Sequence, residues 1–100
     1  MYIAGSIFYV KYKFDGIIKE EEFILVETFE KDKLFQIVAI SGYYAGMTEG
    51  YIPYQFEKER FCSFEHLKKE LEIWVYEEVL NLQEVKPIYA QHIDWKKLGY

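Results

Sequence analysis

The tetrapeptide Phe14-Asp15-Gly16-Ile17 constrains this chain more than any other feature. Asp-Gly supplies two successive positive-φ positions, the requirement of a type I′ turn between antiparallel strands. Before it, Phe8, Val10, Tyr12 and Phe14 alternate with Lys11 and Lys13, the period of a half-buried strand. Pairing through the turn sets Lys11 opposite Glu20, a favourable couple. The same register sets Val10 opposite Glu21, where a carboxylate meets an apolar position. A bulge or fraying within Lys19-Glu20-Glu21-Glu22 is expected to relieve it.

A second strand continues through Phe23 to Phe29, followed by the polar turn Glu30-Lys31-Asp32-Lys33 and a third strand from Leu34 to Ser41. With Lys31-Asp32 at the tip, Phe29 faces Leu34, Leu25 faces Val38 and Phe23 faces Ile40. Those six side chains then share a face with Phe8 and Phe14, which favours an antiparallel meander. A fourth strand over Tyr51–Glu57 contains Pro53, which removes a ladder donor and suits an edge.

Ser63 is a good N-cap, and Glu65 in the first turn complements the helix dipole. Phe64, Leu67, Leu71, Trp74, Val75, Val79 and Leu82 follow at helical spacing, with Lys68, Lys69, Glu72 and Glu77 facing outward. Asn81 and Pro87 bracket the end of that stripe. Pro87–Ile93 reads as a short last strand, and Trp95 as a residue that tucks in the tail. The expected fold is α+β: an antiparallel β-meander of four to five strands with one long α-helix packed on one face, residues 1–100 forming a single domain.

The net charge is −5, and neither the part before Ser63 nor the part after it forms a basic arm. Nucleic-acid binding needs a positive patch, so a protein partner of basic character fits better. A single cysteine, Cys62, excludes an internal disulfide framework and suits a reducing compartment. The opening residues lack a basic n-region and already alternate as a strand, and no apolar run approaches a membrane span of about 20 residues. The expected location is the cytoplasm.

Catalytic and metal signatures are few. His66, His92 and Cys62 lack zinc spacing, so neither a metal nor any other cofactor is expected. Cys62 and His66 are four apart at a helix start, but phenylalanines flank the cysteine and no third orienting residue is evident. A small buried residue beside a helix-surface histidine is the simpler reading. Glu20, Glu21, Glu22, Glu57 and Glu59 are read as solvated, because a working acid–base pair needs one desolvated member. Gly42, Gly46 and Gly50 match no phosphate-binding loop. The chain is not read as an enzyme.

What remains is the segment Ser41–Glu59, which concentrates tyrosines and glycines between patterned regions. Its rings either fold back over the sheet or stand out on a glycine-hinged loop. Aromatic residues make up 20% of the chain, more than a small core readily hides, and tyrosine suits a half-wet contact face. Tyr43, Tyr44, Met47, Tyr51 and Tyr54 are therefore candidate partner-binding anchors, with Glu49, Glu57 and Glu59 as a charged rim.

A small, acidic, aromatic-rich α+β chain carrying Ser41–Glu57 before a helix capped at Ser63 resembles the immunity proteins of bacterial polymorphic-toxin and contact-dependent growth inhibition systems. The resemblance implies tight binding to one cognate toxin domain, often a basic nuclease, and carries no site residues with it. Two alternatives differ in class. One is a small-molecule binding module or minor enzyme with an aromatic-lined pocket between sheet and helix, holding a carboxylate of raised pKa. The other is a structural homodimer joined through the Pro53 edge.

Overall fold

The computed structural model describes residues 1–42, 44–56 and 59–85, with only the backbone of Trp74. Five strands form one antiparallel sheet: β1 (Ile7–Phe14), β2 (Ile17–Val26), β3 (Lys33–Ala39), β4 (Thr48–Pro53) and β5 (Glu78–Val85). Their spatial order is β4-β3-β2-β1-β5, so the first four make a meander and the last returns to pair with β1. One helix, α1 (Phe64–Trp74), connects β4 to β5.

The β1–β2 hairpin turns at Asp15 and Gly16, with φ of 51° and 75°. The two strands pair from Ile7↔Ile24 to Phe14↔Ile17 without interruption. The expected bulge within residues 19–22 does not occur, and Val10 sits directly opposite Glu21. Phe8, Val10, Phe23 and Leu25 are buried on one face of this ladder, and the Phe8 and Phe23 rings stack with centroids 5.4 Å apart.

The second hairpin departs from expectation by one residue. β2 ends at Val26, and Phe23 pairs with Ala39 and Leu25 with Ile37. Ile37 and Ala39 are therefore the buried residues, Val38 turns away, and Ile40 and Phe29 are exposed. A one-residue slip moves every side chain to the other face, which is why the expected Phe29–Leu34 set is not the core set. Leu34 is nonetheless buried beside Phe35, because the β3–β4 register shifts between Lys33 and Phe35. β4 lies at the sheet edge and includes Pro53, but begins at Thr48 and stops before Tyr54.

The largest correction concerns the helix. It has 11 residues, and Val79 to Leu82 belong to β5. The N–H groups of Val75 and Tyr76 both donate to Leu71 O (2.9 and 2.8 Å), closing the last turn. Beyond it, pairing with β1 satisfies the backbone and buries Val79 and Leu82, so tertiary pairing overrides helical spacing. The proposed strand over Pro87–Ile93 and the Trp95 tail lie outside the described residues.

The helix packs Leu67 and Leu71 onto Phe8, Phe23, Leu25, Phe35, Ile37 and Ile52. Its start is anchored twice. Tyr2 and Cys62 exchange backbone hydrogen bonds of 2.8 and 3.0 Å, and Ser63 Oγ accepts from His66 N at 3.1 Å. Replacing Ser63 by Ala should lower stability by about 1 kcal/mol, read as a shift in urea midpoint at constant slope. An unchanged midpoint would remove the cap from the account. At the other end Gly50 leaves room for the helix: a Cβ there would lie 3.1 Å from Val75 Cγ2.

Candidate functional site

A helix of 11 residues spans about 16 Å, whereas the eight residues of β1 span about 27 Å. β3 pairs only with the Phe23–Val26 part of β2. The outer half of the β1–β2 hairpin thus projects past β3, and the β3–β4 loop stands beside it. Between them lies a cavity of about 350 Å³, lined on the hairpin side by Tyr12, Phe14, Lys19 and Glu21. The loop side contributes Tyr44, Met47, Thr48 and Glu49, while Val75 and Tyr76 close the back.

Two departures from ideal pairing place the carboxylates. Glu21 lies opposite buried Val10, so the pleat turns it onto the helix face. Glu49 reaches the same face through a register shift: Ile37 pairs with Gly50 and Val38 with Thr48, leaving Glu49 as the extra residue. Such shifts re-aim a side chain and recur beside functional sites. Buried Tyr76 joins the two, its hydroxyl donating to Glu21 Oε1 and contacting Glu49 Oε2 at 3.2 Å. Its ring stacks on Tyr12 with centroids 4.1 Å apart.

The electrostatics follow from this crowding. Burial, and then the hydrogen bond and negative charge of Glu21, push the Glu49 carboxyl up to about 8, against a smaller lowering by Tyr76. Near neutral pH Glu49 is thus largely protonated. Burial and the nearby carboxylates raise Tyr12 to about 12 and hold Tyr76 firmly in its phenol form. Lys19 lies 5.7 Å from the Phe14 ring centroid at the cavity mouth. A carboxyl of raised proton affinity, with a second carboxyl group and stacked phenols beside it, makes a site able to exchange a proton and accept hydrogen bonds.

Of the expected partner-binding residues, the structure brings Tyr44, Met47 and Glu49 to this cavity. Tyr51 pairs with Gln36, whose neighbours Phe35 and Ile37 are buried, so Tyr51 faces the opposite side of the sheet. Tyr54 is exposed near Ile3, Leu34 and Arg60, at a separate depression. Glu59 is not a solvated rim residue: it is buried, and its Oε1 accepts from Gln55 N at 3.3 Å. Tyr43 and Glu57 lie outside the described residues, as does His92.

Glu21 corrects the reading of its glutamate run as solvated, and Tyr76 and Tyr12 were not among the expected site residues. The mismatch of Val10 with Glu21 was the available signal for Glu21. Nothing local marked Tyr76, because its role depends on the helix ending two residues earlier. Cys62 is buried, and burial followed by the charge of Glu59 raises its thiol to about 11. His66 is buried too, correcting its expected surface position, with Nε2 3.9 Å from Glu70. Among the described residues no group of histidine, cysteine and carboxylate side chains is placed to hold a metal ion. No helix among them is long and apolar enough to cross a membrane.

No known family, characterised protein or solved structure matches this chain. The site therefore rests on its own geometry.

Proposed function

We propose that this chain is a protein-binding module that docks a basic partner on the open end of its helix face, in the manner of an immunity protein that occludes a toxin domain. One observation carries the reading. Phe14, Ile17, Tyr44 and Met47 are 48%, 57%, 55% and 57% exposed, and Phe14, Tyr44 and Met47 line the acidic cavity. Ile17 pairs with Phe14 and so shares its face. Large apolar side chains grouped around polar groups mark a contact surface more often than bare solvent exposure. The acidity of the chain adds steering toward a positively charged partner.

Immobilised protein should retain a basic toxin domain from lysate of the native source, identified by mass spectrometry. A Tyr44→Ala/Met47→Asp double variant should lower its affinity at least about 30-fold, the effect of losing a contact worth about 2 kcal/mol. Tyr51→Ala, on the opposite face, should leave binding unaltered. Equal retention by wild type and the double variant would refute the surface. A second reading, a small-molecule binding module, is favoured by the cavity's size and by the protonated Glu49 within it. It predicts saturable binding of a metabolite that survives the double variant.

A further inference from the structure

We propose that the cavity is a receptor for a guanidinium group, which seats one arginine side chain of the docking partner between Glu21 and Glu49 beside the Tyr12–Tyr76 ring pair. This rests on the protein-binding reading and specifies what the partner must present. Glu21 and Glu49 converge through the Tyr76 hydroxyl, and no ion pair joins either of them to a cation among the described residues. The cation at the mouth, Lys19, lies toward the Phe14 ring. The two carboxyl groups thus offer acceptor oxygens to which no cation is paired among the described residues. An anion would meet two carboxyl groups, whereas a planar cation with several N–H donors can span both.

The aromatic walls favour guanidinium over ammonium. Tyr12, Tyr44 and Tyr76 line the cavity, Phe14 stands at its rim, and a delocalised, weakly hydrated cation gains from ring faces. A compact ammonium gains less there and loses more hydration. Seating the guanidinium favours ionised Glu49, whose proton passes to solvent. The titratable groups that line the cavity with Glu49 are Lys19 and Glu21 from β2, Tyr12 from β1, Tyr44 from the β3–β4 loop and Tyr76 from the segment after α1. With Glu49 titrating at about 8, one released proton makes binding about tenfold tighter at pH 9 than at pH 7. The guanidinium itself stays charged throughout.

The test uses n-propylguanidinium as probe, with the full chain carrying ¹³C-labelled tyrosine rings at constant ionic strength. Ring signals of Tyr12 and Tyr76 should move saturably, about tenfold more tightly at pH 9 than at pH 7, and less for n-propylammonium. Glu49→Gln preserves shape and should abolish the pH dependence, and Glu21→Gln should weaken binding at both pH values. Absence of saturable movement, a pH-independent wild-type affinity, or equal affinity for both probes overturns the proposal. The outcomes separate the two levels. A silent probe with partner capture intact defeats the guanidinium receptor alone, whereas a bound probe with no difference between wild type and Tyr44→Ala/Met47→Asp in capture defeats the docking surface.

Discussion

Replacement of Tyr76 by alanine should lower the free energy of unfolding by about 3–5 kcal/mol, the range for deleting a buried aromatic ring. Tyr76 is 4% exposed and belongs to the cluster formed by the helix and sheet. Its removal vacates the space behind the cavity, takes away the stacking partner of Tyr12 and strands two carboxyl groups that shared its hydroxyl. A domain of this size has about 5–15 kcal/mol in total, so the variant should be largely unfolded in moderate urea. Tyr76→Phe separates the components. It keeps the ring and removes only the hydroxyl, with an expected loss of about 1–3 kcal/mol from the unsatisfied carboxyl groups. Because that hydroxyl lowers the proton affinity of Glu49, the phenylalanine variant should also titrate Glu49 at higher pH. Equal urea midpoints for Tyr76→Phe and wild type would show that the hydroxyl contacts contribute nothing to folding.

The second large effect is a pH dependence opposite to that of a salt-bridged carboxylate. Glu49 binds its proton more tightly in the folded chain, with a pKa of about 8 against an ordinary 4.5, because burial and Glu21 oppose its charge. Below pH 4.5 folded and unfolded chains both hold the proton, and Glu49 adds no slope. Between 4.5 and about 8 only the folded chain retains it, so stability falls as pH rises through that window; above it the loss is complete and constant. Since Glu49 is only half-buried, solvent screening reduces the expected loss to about 1–2 kcal/mol. Glu49→Gln cannot ionise and should lack this decline, gaining on wild type from pH 5 to pH 9. Parallel stability profiles for the two proteins, measured by urea denaturation at pH 5, 7 and 9, would remove Glu49 from the account.

Some parts of this molecule were legible because the determining interactions are local. Asp15-Gly16 sets the hairpin and its register, since few other residue pairs accept two positive-φ positions. Ser63 sets the helix start, and Pro53 sits at an edge that needs no further ladder donor. The surplus of rings in a glycine-rich connection left open whether they pack inward or stand out, and the fold leaves Tyr44 and Met47 exposed.

The misreadings share a cause. Val79 and Leu82 are three residues apart, which matches one face of a helix. They are both buried in β5 because Tyr12 pairs with Val79 and Lys11 with Asn81, leaving Leu80 as an extra residue. A bulged strand and a helix can therefore carry the same apolar spacing over a short window. The shift at Leu34 likewise buries two neighbours, and the one at Glu49 turns a carboxylate inward.

The hairpin, the cap, the sheet edge and the acidic, ring-rich character of the chain are written in neighbouring residues, because steric limits on φ and the needs of exposed N–H groups act over a few bonds. Where the helix stops, which strand covers β1, and the meeting of Glu21, Glu49 and Tyr76 were decided only in three dimensions. Each depends on pairing between segments distant along the chain, and that pairing can absorb an extra residue and invert the facing of everything near it.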